Sequence, residues 1–146
     1  MSKHILVVNG ANVNLLGNRE ALYGDVSLDE INSEILAHAR THNFVVDMFS
    51  SNIEGELVNK IQEARKNYDG IIINAGAYSH YSYALRDAIA SAKIPCVEIH
   101  FSNVFAREEF RHKSVLAPVC AGFIAGFGKD SYILALDALS YTFRRL

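Results

Sequence analysis

Short apolar runs alternate with longer amphipathic segments along the whole chain, and that alternation leaves few folds open. Residues 5–8, 45–49, 71–73, 96–99 and 119–123 read as strands, and each is followed by enough chain for a helix. The repeat predicts an α/β protein with a flavodoxin-like, doubly wound five-stranded parallel sheet in the order 2-1-3-4-5. In that topology a crevice opens beyond the carboxyl ends of strands one and three, so any chemistry is to be sought there. The first helix is predicted to start at Ser27, because Ser27-Leu28-Asp29-Glu30 has capping-box spacing and Ile31, Ile35 and Ala39 then recur on one face. Further helices are expected over residues 54–66, over 82–92 ahead of Pro95, and over 130–144, the last with basic residues at its dipole-favoured end.

The bulk properties narrow the functional classes. With 146 residues, half of them hydrophobic, the chain can fill one core without a metal or disulfide staple, and one domain is expected. Its formal charge of −2 is spread over 14 basic and 16 acidic residues, which gives no basic stripe for a nucleic-acid backbone. Cys96 and Cys120 are far apart and flanked by apolar residues; they form no C-x-x-C pair and read as buried thiols. Met1 to His4 lead directly into a strand, too short for a signal-peptide core, and residues 117–127 fall short of the ~20 needed to span a bilayer. A soluble cytoplasmic protein with no membrane or nucleic-acid partner is the expectation.

Three segments leave strands at the crevice end. Residues 9–24 form a connection much longer than the ~2–6 residues a βα loop needs, which marks a lid, a binding loop or disorder. It carries Asn12, Asn14, Arg19 and Tyr23, with Gly10, Gly17 and Gly24 at possible hinges. Arg19 precedes Tyr23 by four residues, and a guanidinium brought near a phenol favours phenolate, which is a way to make a general base. Residues 74–81 offer Asn74 and His80 for a polyhydroxylated ligand, although the same residues also suit a strand-to-loop cap and a surface ring. Strand four ends with Glu98 and His100 two residues apart and therefore on one side. That pairing serves either a general acid or a plain ion pair, since a carboxylate stabilises a protonated imidazole. Ser102, the amides after His100, Arg107 and Arg111 can recognise a carboxylate, or Arg107, Glu108, Glu109 and Arg111 can form a solvated charged turn.

Other signals are weaker. Residues 122–129 fail as a phosphate loop, because the glycine spacing is one residue too long and Asp130 stands where Ser or Thr should be. Strand one lacks the G-x-G-x-x-G of a dinucleotide site. His38 and His42 have i, i+4 spacing but no H-E-x-x-H and no third ligand nearby in sequence, so a solvated helix edge is expected and no metal site.

Taken together, the opening Asn9-Gly10-Ala11-Asn12-Val13-Asn14-Leu15-Leu16-Gly17-Asn18-Arg19-Glu20, with Tyr23-Gly24 after it, resembles the type II 3-dehydroquinate dehydratases. Ser51 to Leu57, Asn74 to His80, Ala84 to Ala88, Glu98 to Asn103 and Arg107 to His112 match that family in order and spacing, so the resemblance covers nearly the whole chain. It implies a cofactor-free dehydration of 3-dehydroquinate through an enolate. Tyr23 would accept the proton, Arg19 would activate it, and His100, supported by Glu98, would donate one. Asn12 would hold the water or oxygen at the enolate. Asn74, His80, Ser102 with the Phe101 and Ser102 amides, and Arg111 would bind the substrate's hydroxyls and carboxylate, with Arg107 as a lid or supporting contact. Asp87 would reach the site of a neighbouring subunit in a homo-oligomer, a dodecamer of four trimers.

The chain departs from the family where Ala11 and Ala75 replace the usual prolines, which frees two φ angles without removing a chemical group. Two rivals are weaker. A Schiff-base dehydratase needs a lysine in the matched segments, which hold none, and a flavodoxin-like binding or signalling receiver needs an acidic cluster where strand one ends in Asn9.

Overall fold

The computed structural model describes residues 1–16 and 26–146. Five strands, β1 (Lys3–Asn9), β2 (Phe44–Ser50), β3 (Gly70–Asn74), β4 (Cys96–His100) and β5 (Gly122–Ala125), form one sheet in the order β2-β1-β3-β4-β5. Every neighbouring pair is parallel. Four helices cover it: α1 (Leu28–Thr41), α2 (Glu54–Asn67), α3 (Tyr83–Ala92) and α4 (Asp130–Arg145). The predicted α/β topology is therefore the observed one.

Strand alternation sorts the core into two layers. Ile5, Val7, Ile72, Val97 and Ile99 pack with Ile31 and Ile35 of α1 and Leu136 and Leu139 of α4. Leu6, Val8, Ile71 and Ile73, one residue out of phase, pack with Leu57 and Ile61 of α2 and Leu85 and Ile89 of α3. Because both faces are covered, β1 and β3 carry the unbroken apolar runs Ile5–Val8 and Ile71–Ile73 before their polar ends. The helix starts follow from local chemistry. The Ser27 hydroxyl accepts from the Glu30 amide at 3.2 Å. The Ser82 hydroxyl accepts from the Leu85 amide at 3.1 Å and donates to the Glu54 carboxylate at 2.6 Å, which ties the start of α3 to that of α2.

Two expectations are corrected. The last strand runs over Gly122–Ala125 and not over 119–123, because Ala117–Val119 is a 3-10 turn with Pro118 at its start. Pairing with β4 begins only where Val97 faces Gly122. His38 and His42 do have a third partner: Asp137 of α4, distant in sequence, accepts from both rings. Cys96 is buried, as expected, and Cys120 only partly so. Among the described residues no helix is long and apolar enough to cross a membrane.

Candidate active site

The segments after β1 and β3 meet backbone to backbone. The Gly10 amide donates to the Asn74 carbonyl at 2.7 Å. A Cβ on Gly10 would lie 2.5 Å from the Ala75 oxygen, and one on Gly76, whose φ is +63°, would lie 2.5 Å from the Ala11 oxygen. Only glycine fits either position. Gly76→Ala is expected to destabilise the fold by about 2–4 kcal/mol, from backbone strain plus overlap, as measured by denaturant unfolding. Beside it, Ala75 has a φ of −79°, inside the range proline imposes, so the backbone there is compatible with a proline ring although the chain carries none.

This junction floors a cleft of about 120 Å³, close to the room that holds a single six-membered ring. Asn12, Asn74, His80, His100, Phe101, Ser102, Arg107 and Arg111 all line it. The post-strand segments that the sequence separates by dozens of residues therefore converge, as the topology requires.

One wall is a chain of hydrogen bonds. Glu98 is fully buried behind His100, whose Nε2–H donates to the carboxylate at 2.6 Å and leaves Nδ1 for a ligand. The Ser114 hydroxyl donates to the same carboxylate, 2.6 Å from Oε1 and 2.9 Å from Oε2. Its oxygen accepts from the Leu116 and Ala117 amides at 3.1 and 3.0 Å. The carboxylate is thus fixed on both sides and in turn orients the imidazole. Ser114→Ala is expected to lower turnover about tenfold, since a hydrogen bond to a buried charge contributes ~1.5–3 kcal/mol, while Ser114→Thr should recover much of it. Steady-state kinetics on both variants checks this.

A second network sets the amide of Asn74. The Tyr132 hydroxyl, fully buried, donates to Asn9 Oδ1 and accepts from Asn74 Nδ2 at 3.3 Å. Asn74 thereby has its Nδ2 engaged below and its Oδ1 available as an acceptor. Burial pushes the Tyr132 phenol well above its ordinary range, only partly opposed by the Asn74 hydrogen bond, so it acts as a neutral hydroxyl.

His80 stacks on His100, with ring centroids 6.1 Å apart. Its Nδ1–H donates to the Lys113 carbonyl at 2.8 Å. Burial lowers its pKa from the ordinary histidine value, against the raising effect of that carbonyl, so a neutral ring with Nε2 as an acceptor is favoured. The arginines are tied to neighbouring side chains and also border the cleft. Arg111 pairs with Glu108 at 3.1 Å and Arg107 donates to the Ser102 hydroxyl at 3.2 Å, and both residues line the cleft. Glu108, exposed, is held below the usual carboxylate range by its own backbone amide and then by Arg111.

Residues 3–140 match the sequence profile of the family described as Dehydroquinase class II. The chain belongs to this family. The 3-dehydroquinate dehydratase of Caldicellulosiruptor bescii is 55% identical over 139 residues, which span 94% of this chain and 96% of the relative. The crystal structure of the type II dehydroquinase from Butyrivibrio crossotus superposes with a TM-score of 0.92 at 50% identity, covering 94% of this chain and 97% of that one. The Propionibacterium acnes type II dehydroquinase gives the same TM-score at 39% identity, with coverages of 97% and 98%.

Not every residue named from the sequence of this class II dehydroquinase lies at the cleft. Arg19 and Tyr23 fall outside the described residues. Asn14 is exposed and does not line the cleft, and Asp87 sits on the exposed face of α3, away from it. The Asn12 amide donates to Asn52 Oδ1 at 2.9 Å, which anchors the start of the long connection. Sequence reasoning missed Ser114, Tyr132 and Asn9. Only Asn9 carried a signal, as a polar residue ending an apolar strand that points at the crevice.

Proposed function

We infer that this chain dehydrates 3-dehydroquinate to 3-dehydroshikimate by anti elimination through an enolate, using only its own side chains. The observation that carries the reading is the buried Glu98–His100 pair, held by Ser114 at the wall of a polar cleft that two arginines share. Membership of the class II dehydroquinases and the names of its relatives supply the substrate.

In this mechanism Tyr23 phenolate, favoured by the Arg19 cation, removes the proton from the carbon beside the ketone. The electron pair moves onto the ketone oxygen, and the enolate is stabilised by preorganised donors, with Asn12 holding the oxygen or a bound water there. The enolate then collapses, the carbon–oxygen bond to the leaving hydroxyl breaks, and His100 Nδ1 gives that oxygen its proton, so water departs and a conjugated enone remains. Asn74 Oδ1 and His80 Nε2 accept from the substrate's hydroxyls. Ser102, the Phe101 and Ser102 amides, and Arg111 hold its carboxylate, with Arg107 positioning Ser102.

The assembly is a dodecamer of four trimers in which Asp87 extends from α3 into a neighbour's cleft; its exposure leaves it available for that contact. Light scattering tests this, and a fully active monomer would refute it. The enzyme works in the cytoplasm. Mixing the protein with dehydroquinate should raise the ultraviolet absorbance of the enone, and borohydride added with substrate should leave activity intact. No absorbance change, or trapping by borohydride, would overturn the reading.

A further inference from the structure

The structure assigns a divalent transition-metal site to His38, His42 and Asp137, bridging α1 and α4 at a place the dehydration does not use. His38 lies in the last turn of α1 and His42, four residues on, caps its carboxyl end, so the two imidazoles stand on one side of the helix end. Their Nε2 atoms stand 2.7 and 2.6 Å from the same Asp137 oxygen, and the three ligand atoms lie within 4.8 Å of one another. No other such group of three exists among the described residues.

The donor set has the character of a metal site. Two imidazole nitrogens and one carboxylate oxygen suit Zn²⁺, Co²⁺ or Ni²⁺ and leave a coordination position for water. The side chains are half-buried, and His42 lies 5.2 Å from the ring of buried Phe44, which walls the cluster on one side. Burial works against the Asp137 carboxylate, yet hydrogen bonds from His38 and His42 hold it below its ordinary range, so it is ready to ligate as an anion. A tetrahedral ion with bonds of ~2.0–2.1 Å needs its ligands roughly 3.3 Å apart. The two nitrogen–oxygen spacings would open by less than about 1 Å and the nitrogen–nitrogen spacing, now within 4.8 Å, would close by up to about 1.5 Å, which side-chain rotation can supply while the metal replaces the protons that now bridge the three groups.

The location separates this site from catalysis. His38 in the last turn of α1 and His42 at its carboxyl cap lead into the amino end of β2, whereas the cleft lies beyond the carboxyl ends of the strands. The ion would cross-link α1 to α4, which are otherwise joined among the described residues by apolar packing and the Lys129–Glu34 pair.

Co²⁺ titrated into the full-length protein reads the site directly. The expected result is one equivalent per chain with a visible d–d spectrum, displaced by Zn²⁺, and a melting temperature raised by roughly 5 °C or more at a hundredfold excess over Kd. Asp137→Asn and the double variant His38→Gln, His42→Gln should lose the spectrum and the shift while turnover stays within twofold of the parent. His100→Ala should keep both. Absence of any spectrum, or its persistence in the double variant, would overturn the assignment and leave the cluster a hydrogen-bonded helix clamp.

Discussion

A His100→Ala enzyme is expected to lose about 10²- to 10⁴-fold in kcat with KM changed only a few-fold, because deleting a positioned general acid removes transition-state and not ground-state interaction. The structure adds a condition. The Glu98 carboxylate, fully buried in the parent, loses its imidazole partner when the ring is removed and keeps the Ser114 hydroxyl, so stability should fall as well. Circular dichroism and denaturant unfolding would show whether the variant is folded at the assay temperature. Glu98→Gln gives an independent test, since it keeps the ring and much of the volume but removes the charge that orients it. If His100→Ala stays within about tenfold of the parent, or under ~1.4 kcal/mol of barrier, His100 is not the essential acid.

Tyr23→Phe is the second large effect, with a kcat loss on the order of 10²- to 10⁴-fold and retained substrate affinity. The substitution deletes one hydroxyl and keeps the ring, so it distinguishes a proton acceptor from an aromatic that merely encloses the ligand. Arg19→Ala should share much of the defect, because without the cation the phenol stays mostly protonated at neutral pH. Its rate should recover in part as pH rises toward the ordinary tyrosine range near ~10. Arg19→Lys, which keeps charge but not the planar fork, should fall between the two. Near-normal turnover by Tyr23→Phe would remove this tyrosine from the chemistry.

Features governed by local rules could be read from the sequence. The Ser27 cap, the two-phase sorting of Ile5 and Val7 against Leu6 and Val8, and the shared side of Glu98 and His100 all follow from periods of 3.6 or 2 residues. The carboxyl-end crevice followed from strand order alone. What escaped depended on contacts between remote parts of the chain. Ser114 reaches Glu98 across 16 residues, Tyr132 reaches Asn9 across 123, and Asp137 reaches His38 across 99. No local pattern encodes such meetings; they exist only once helices have packed on the sheet. The misplacement of the last strand has a local cause, since an apolar run beginning at residue 117 gives no sign of where Pro118 releases the chain to pair.

The backbone junction at Gly10 and Gly76 bears on affinity as well as shape. The Gly10 amide bonds to the Asn74 carbonyl just where the β1–β3 ladder ends, so its hydrogen exchange reports opening of that seam. Asn74, anchored at that seam and again by Tyr132, therefore has its conformational entropy removed during folding, before any ligand arrives. A ligand meeting such a floor keeps most of the free energy of each new hydrogen bond as affinity, because the floor needs no further ordering.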